Sequence, residues 1–139
     1  MEDLQKRALD LVIEGVNDFA GAAKLQFTLS TGAVVLFVHT IADFHHMPVR
    51  TGILTMASFF FACAAIKCIR ALVHLSLFKV GAGDVLWRDV EKRGDLLLAK
   101  YGDHVKGVNT EFGKMERYFY AGIAWSVLFM VVQFAASFR

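Results

Sequence analysis

The stretch LQFTLSTGAVVLFVHTIADFHHMPVRTGILTMASFFFACAAIKCIRALVHLSLF, residues 25–78, decides the fold. Its first part, Leu25–Ala42, holds eighteen residues without a charge. As a helix rising ~1.5 Å per residue it reaches roughly 27 Å, about the thickness of a hydrocarbon core. The His45-His46-Met47-Pro48 stretch then interrupts it, because proline bars a continuing helix and pushes the residue before it toward extended geometry. Thr51–Ile66 is again uncharged. The two runs read as a transmembrane hairpin, with a first span over residues 25–44 and a second helix over 51–79. The second helix carries its apolar pattern past Lys67 and Arg70 through Leu72, Leu75 and Phe78, so its last turns leave the membrane. Gly81 and Gly83 are expected to end it.

Outward from the hairpin, residues 118–138 form the third span. It is uncharged throughout, opened by Tyr118-Phe119-Tyr120 at headgroup level and closed by Arg139. The composition agrees: 56% of the 139 residues are hydrophobic, thirteen are Phe, and the mean hydropathy is +0.48. The fold class is therefore all-α, an integral membrane protein with three transmembrane helices and a single membrane domain over residues 1–139.

Two amphipathic stretches flank the hairpin. In residues 1–24, Leu4, Leu11, Val12, Val16 and Phe19 share one face, while Asp3, Asp10, Glu14 and Asp18 share the other. An acidic start of this kind differs from the basic-then-apolar pattern of a cleaved signal, so the first span is expected to stay in the mature chain. No breaker separates this stretch from the span, so one continuous helix is expected. Residues 84–117 make a second helical segment. Asp84 is its expected cap, Gly102 its stop, 103–110 a polar connector, and Asn109 or Thr110 the cap of the last helix.

Basic residues favour the cytoplasmic side. Lys6, Arg7 and Lys24 precede the first span, and Lys79, Arg88, Lys92, Arg93, Lys100, Lys106, Lys114 and Arg117 lie between the second and third. Only Arg50 and Arg139 fall on the other side. The expected topology is a cytoplasmic N-terminus and an outside C-terminus, with both amphipathic segments cytoplasmic.

Three constellations carry possible chemistry. The first is His39, Asp43 and His46, whose spacing of four and three puts two imidazoles and a carboxylate on one helix face. Borderline metals use such groups, provided the helix persists to His46. The plainer reading is a polar helix end at the interface. The second is the basic set Lys67, Arg70 and His74, a possible pore or headgroup face. The hairpin register sets it against Thr28, Leu25 and Gly21, with Asp18 and Glu14 as expected neutralisers. The third is a small-residue seam on each span: Thr28 and Gly32, then Ser58, Ala62 and Ala65, then Gly122 and Ser126. Small residues let helix backbones approach closely in lipid.

Enzyme motifs are absent. Gly81-Ala82-Gly83-Asp84 lacks the Lys-Ser/Thr of a phosphate loop, and there is no nucleophile elbow. Cys63 and Cys68 lie five apart on one helix and point to different faces, so they cannot bridge each other. A net charge of +2 with no polybasic run argues against nucleic acid as a partner. The expected partners are the lipid bilayer and further transmembrane helices, either as a homo-oligomer or as other membrane subunits. No cofactor is expected. The functional expectation is a non-enzymatic membrane protein acting by homo-oligomeric assembly, such as a pore, channel or membrane effector. The alternative is an accessory subunit of a larger membrane complex, and a third reading is a metal- or cofactor-binding subunit built on His39, Asp43 and His46.

Overall fold

A computed structural model describes residues 2–44, 46–86 and 93–138. It contains three long helices, α1 (Glu2–Asp43), α2 (Pro48–Leu86) and α3 (Arg93–Ser137), and no strand among the described residues. All three are long and apolar enough to cross a membrane: the qualifying stretches are Ile13–Asp43, Pro48–Gly81 and Gly102–Ser137. This is the architecture expected from the three uncharged runs.

The α1–α2 turn is tight. The Phe44 N–H donates to Thr40 O and Ile41 O at 3.3 and 3.2 Å, which closes α1. The Met47 N–H then donates to Phe44 O at 2.8 Å. Pro48 opens α2 at its first position, where a missing N–H costs nothing. The Thr51 hydroxyl reaches back over the proline to Phe44 O at 2.8 Å.

The helices are fewer and longer than the glycine and cap signals predict. α2 runs through Gly81 and Gly83 to Leu86, so Asp84 lies inside its last turn rather than ahead of a new helix. α3 runs unbroken through Gly102, the expected polar connector 103–110, Asn109 and Thr110 and on to Ser137. The segments expected over 84–117 and 118–138 thus meet in one helix from Arg93 onward. A glycine stops a helix by taking the left-handed conformation, and no described glycine has a positive φ. A helical glycine otherwise costs only about 1 kcal/mol against alanine, and continuous packing along α2 outweighs that. The side chains of the apolar face expected over 84–101 lie outside the described residues, as do residues 87–92. α1 does run continuously from its amphipathic part into the first span.

α2 is the central helix, packed against both others. Beside Ile53, its buried side chains are Leu54, Ala57, Phe61, Ala64, Cys68, Ala71, Leu75 and Phe78, these eight at alternating steps of three and four. That is a seven-residue repeat, which keeps one seam facing a partner as helices wind left-handed about each other. The flanking helices answer at the same interval. Ala23 and Ser30 are buried on α1, and Val108, Met115 and Gly122 on α3. Phe61 is the common knob. Its ring meets Phe37 of α1 with centroids 5.8 Å apart and Phe119 of α3 at 5.5 Å. The ring also lies on Gly122, where an added Cβ would sit 2.9 Å from it.

The outer surfaces are apolar. Val35, Leu36 and Val38 on α1, Phe59 and Ile66 on α2, and Val127, Met130, Val131 and Phe134 on α3 are exposed from the bundle. In lipid such faces need no protein cover. Five hydroxyls along the spans satisfy themselves internally: Thr28, Thr31, Thr40, Thr55 and Ser126 each donate to the carbonyl four residues back, as a medium without water favours. The buried hydroxyls of Ser30 and Ser58 make no such bond.

Candidate functional site

Two polar pairs and one aromatic pair line one flank of the α2–α3 seam. Three contacts mark it: Phe60 with Tyr118, Lys67 with Glu111, and His74 with His104. Seven residues down α2 match seven residues back along α3 at each step, so the three pairs form a ladder on an antiparallel register.

The middle rung is an ion pair. Lys67 Nζ lies 2.9 Å from Glu111 Oε2, with side chains only 16% and 12% exposed. Lys114 Nζ stands 3.7 Å from the other carboxylate oxygen and is half exposed. A charge set this far into an apolar helix is expensive unless it faces the bundle and meets its opposite. Glu111 supplies that opposite charge.

The sequence expectation put the counter-charge elsewhere, on Asp18 and Glu14. Both are exposed on α1. The α1–α2 register, fixed by Phe37 against Phe61 and Asn17 against Lys79, sets α1 near Ser30 opposite Lys67. Asp18 then lies roughly 18 Å further along the axis at ~1.5 Å per residue. The polar face of α1 meets the basic end of α2 through Asn17, whose Oδ1 accepts from Lys79 Nζ at 2.6 Å. Glu111 escaped the sequence reading because it followed the expected cap at Asn109 or Thr110. Counting back in sevens from Tyr118 finds it, and then His104.

The lowest rung pairs two imidazoles. His74 Nδ1 and His104 Nδ1 are 3.4 Å apart and partly buried, with ring centroids 5.7 Å apart. The His74 ring lies against Gly107, where a Cβ would sit 3.0 Å from the ring's Nδ1 and Cε1. Arg70 is exposed, and among the described residues it makes no ion pair or hydrogen bond. The basic set Lys67, Arg70 and His74 is therefore divided. Two members turn toward α3 and one turns outward.

The other expected sites fare as follows. His39 and Asp43 are exposed near the end of α1, and His46 is exposed in the turn beyond it. The helix does not persist to His46, so the one-face geometry is lost. His45 lies outside the described residues. Among the described residues no group of three or more His, Cys, Asp or Glu side chains is placed to hold a metal ion. Of the small-residue seams, Gly122 is buried under Phe61, and Ser126 bonds to Gly122 O. Ser58, Ala62 and Ala65 are half-buried, one helical position off the buried line Ala57, Phe61 and Ala64. Thr28 and Gly32 are exposed, and open space surrounds the position a Gly32 Cβ would take.

The chain matches no protein-family model, no curated protein and no solved structure.

Proposed function

We propose that this chain is a small, non-enzymatic polytopic membrane protein that works by homo-oligomeric assembly in the bilayer, as a pore, channel or membrane effector. One observation carries the reading. Gly21, Leu25, Thr28, Gly32, Val35 and His39 recur at steps of four and three on α1, and all are exposed. This row repeats the interval of the buried seams but has no helix of its own chain on it. In lipid, helix association depends on close packing at small residues, and Gly32 offers the open centre of such a face. The basic end bearing Lys24, Arg70, Lys79, Lys106, Lys114 and Arg117 supports a cytoplasmic N-terminus and an outside C-terminus.

A native mass measurement of the purified chain in mild detergent tests this. The expected result is a fixed multiple of 15.5 kDa that falls to the monomer in Gly32→Ile. A monomeric wild type would overturn the reading. Ion flux from liposomes, compared between wild type and Arg70→Glu, tests the pore form: conduction whose anion preference reverses supports it, and no conduction removes it.

A second reading has its own observation. Glu14 and Asp18 continue the same exposed α1 row below Gly21. A symmetric, parallel α1–α1 contact would set like carboxylates side by side, whereas a different subunit could offer cations there. This favours an accessory subunit of a larger membrane complex. Co-purification of one membrane protein in fixed ratio would decide for it.

A further inference from the structure

We propose that His74 and His104 form a two-histidine site for a borderline divalent cation of the zinc class, which clips α2 to α3 where the helices run beyond the second span's uncharged stretch. The pair is distinct from the His39, Asp43 and His46 set and does not depend on how the chain assembles.

The distance is the first support. The Nδ1 atoms are 3.4 Å apart, which is long for a hydrogen bond between ring nitrogens. Two nitrogens each ~2.05 Å from one tetrahedral zinc ion are separated by about 3.3 Å. The pair therefore already holds the spacing of two neighbouring ligands. Coordination through both Nδ1 atoms requires each ring to carry its one proton on Nε2.

The backbone opposite is the second support. Gly107 on α3 leaves the space in which the His74 ring lies, and a Cβ there would touch Nδ1 itself at 3.0 Å. The ring is thus held flat against a helix backbone with its Nδ1 turned to His104. The ligands come from two different helices, thirty residues apart in sequence, so binding bridges elements otherwise joined by packing and the Lys67–Glu111 ion pair.

The chemistry bounds the ligand. Two imidazoles suit zinc, copper(II) or nickel(II) and give magnesium or calcium little hold. Water would complete the coordination. Arg70 lies one turn from His74 and Lys67 two turns, and both oppose a dication, while Glu111 is engaged by Lys67. The site is accordingly of moderate affinity and exchangeable.

The test uses the full chain in detergent after chelator treatment. The protein has five histidines, so a His39→Ala/His45→Ala/His46→Ala variant retains only His74 and His104. This variant should bind one zinc per chain and gain about 5 °C in unfolding temperature at saturating zinc. EDTA should reverse the gain, and magnesium should not produce it. The triple variant carrying His74→Ala and His104→Ala as well should lose both effects. Should that fivefold variant fail to fold, the triple variant decides alone, because its bound copper(II) should show two imidazole nitrogens by electron paramagnetic resonance. Zinc binding that persists in the fivefold variant, or a triple variant that binds none or shows a single nitrogen, would overturn the proposal.

Discussion

At the scale of single residues, the chain's stability turns on one buried charge and one missing side chain. Glu111→Gln leaves Lys67 facing α3 without its counter-charge, and breaking a largely buried pair this way should cost roughly 2–3 kcal/mol in detergent unfolding. Replacing both partners together, Lys67→Met with Glu111→Leu, should recover most of that loss, because an apolar pair of similar volume carries no desolvation cost. Lys114→Ala should change stability by less than about 1 kcal/mol, since its side chain is half exposed and 3.7 Å from the carboxylate. An unaffected Glu111→Gln variant would mean the pair is not formed. At Gly122 the Phe61 ring occupies the place of a Cβ, so Gly122→Val should overpack the seam and destabilise it by roughly 2 kcal/mol. Unfolding midpoints of the wild type and the variant measure this directly.

At the scale of elements, the uncharged runs at Leu25–Ala42, Thr51–Ile66 and Tyr118–Phe138 were enough to read three helices and their hairpin, because length and the absence of charge bear directly on the cost of crossing lipid. The ends were less legible. Gly81, Gly83 and Gly102 looked like stops, yet each lies inside a helix. A glycine's identity permits a left-handed turn but does not compel one, and the neighbouring helix decides. The site was half legible for a related reason. Lys67 and His74 stood out from the sequence as polar groups on an apolar helix. Their partners Glu111 and His104 do not, because His104 lies in the expected connector and Glu111 just past its expected cap. Only the α2–α3 register, set by tertiary packing, brings the two sets together. The half-buried seam on Ser58, Ala62 and Ala65 lies one position beside the buried line at Ala57, Ala64 and Cys68, because small residues occur on both sides of that line. Gly102 supplies the test at this scale. It lies mid-helix with open space around it, so Gly102→Ala should stabilise the protein by about 0.5–1 kcal/mol. A residue serving as a left-handed stop would be destabilised by the same change, and thermal unfolding separates the two.

At the scale of the whole molecule, three helices of 42, 39 and 45 residues exceed what a bilayer needs. α2 alone reaches roughly 58 Å at ~1.5 Å per residue, about twice a hydrocarbon core of ~30 Å. The same seven-residue interval runs through both halves, so one packing rule serves the lipid-embedded part and the part beyond it. The Lys67–Glu111 and His74–His104 pairs lie where the second span's uncharged stretch gives way, with His74 and His104 the further from the hairpin turn. Above it, α1 turns its row of small residues outward, which is where further helices would join.

An odd number of crossings has one unavoidable consequence, and it tests the central claim most directly. With Cys63 and Cys68 replaced by alanine, a single cysteine placed after residue 1 or at residue 138 can be probed in sealed, oriented vesicles with a membrane-impermeant thiol reagent. Three crossings predict that the two positions are labelled from opposite sides of the membrane. Labelling of both from the same side, or a chain that leaves the vesicles with salt alone, would contradict the account.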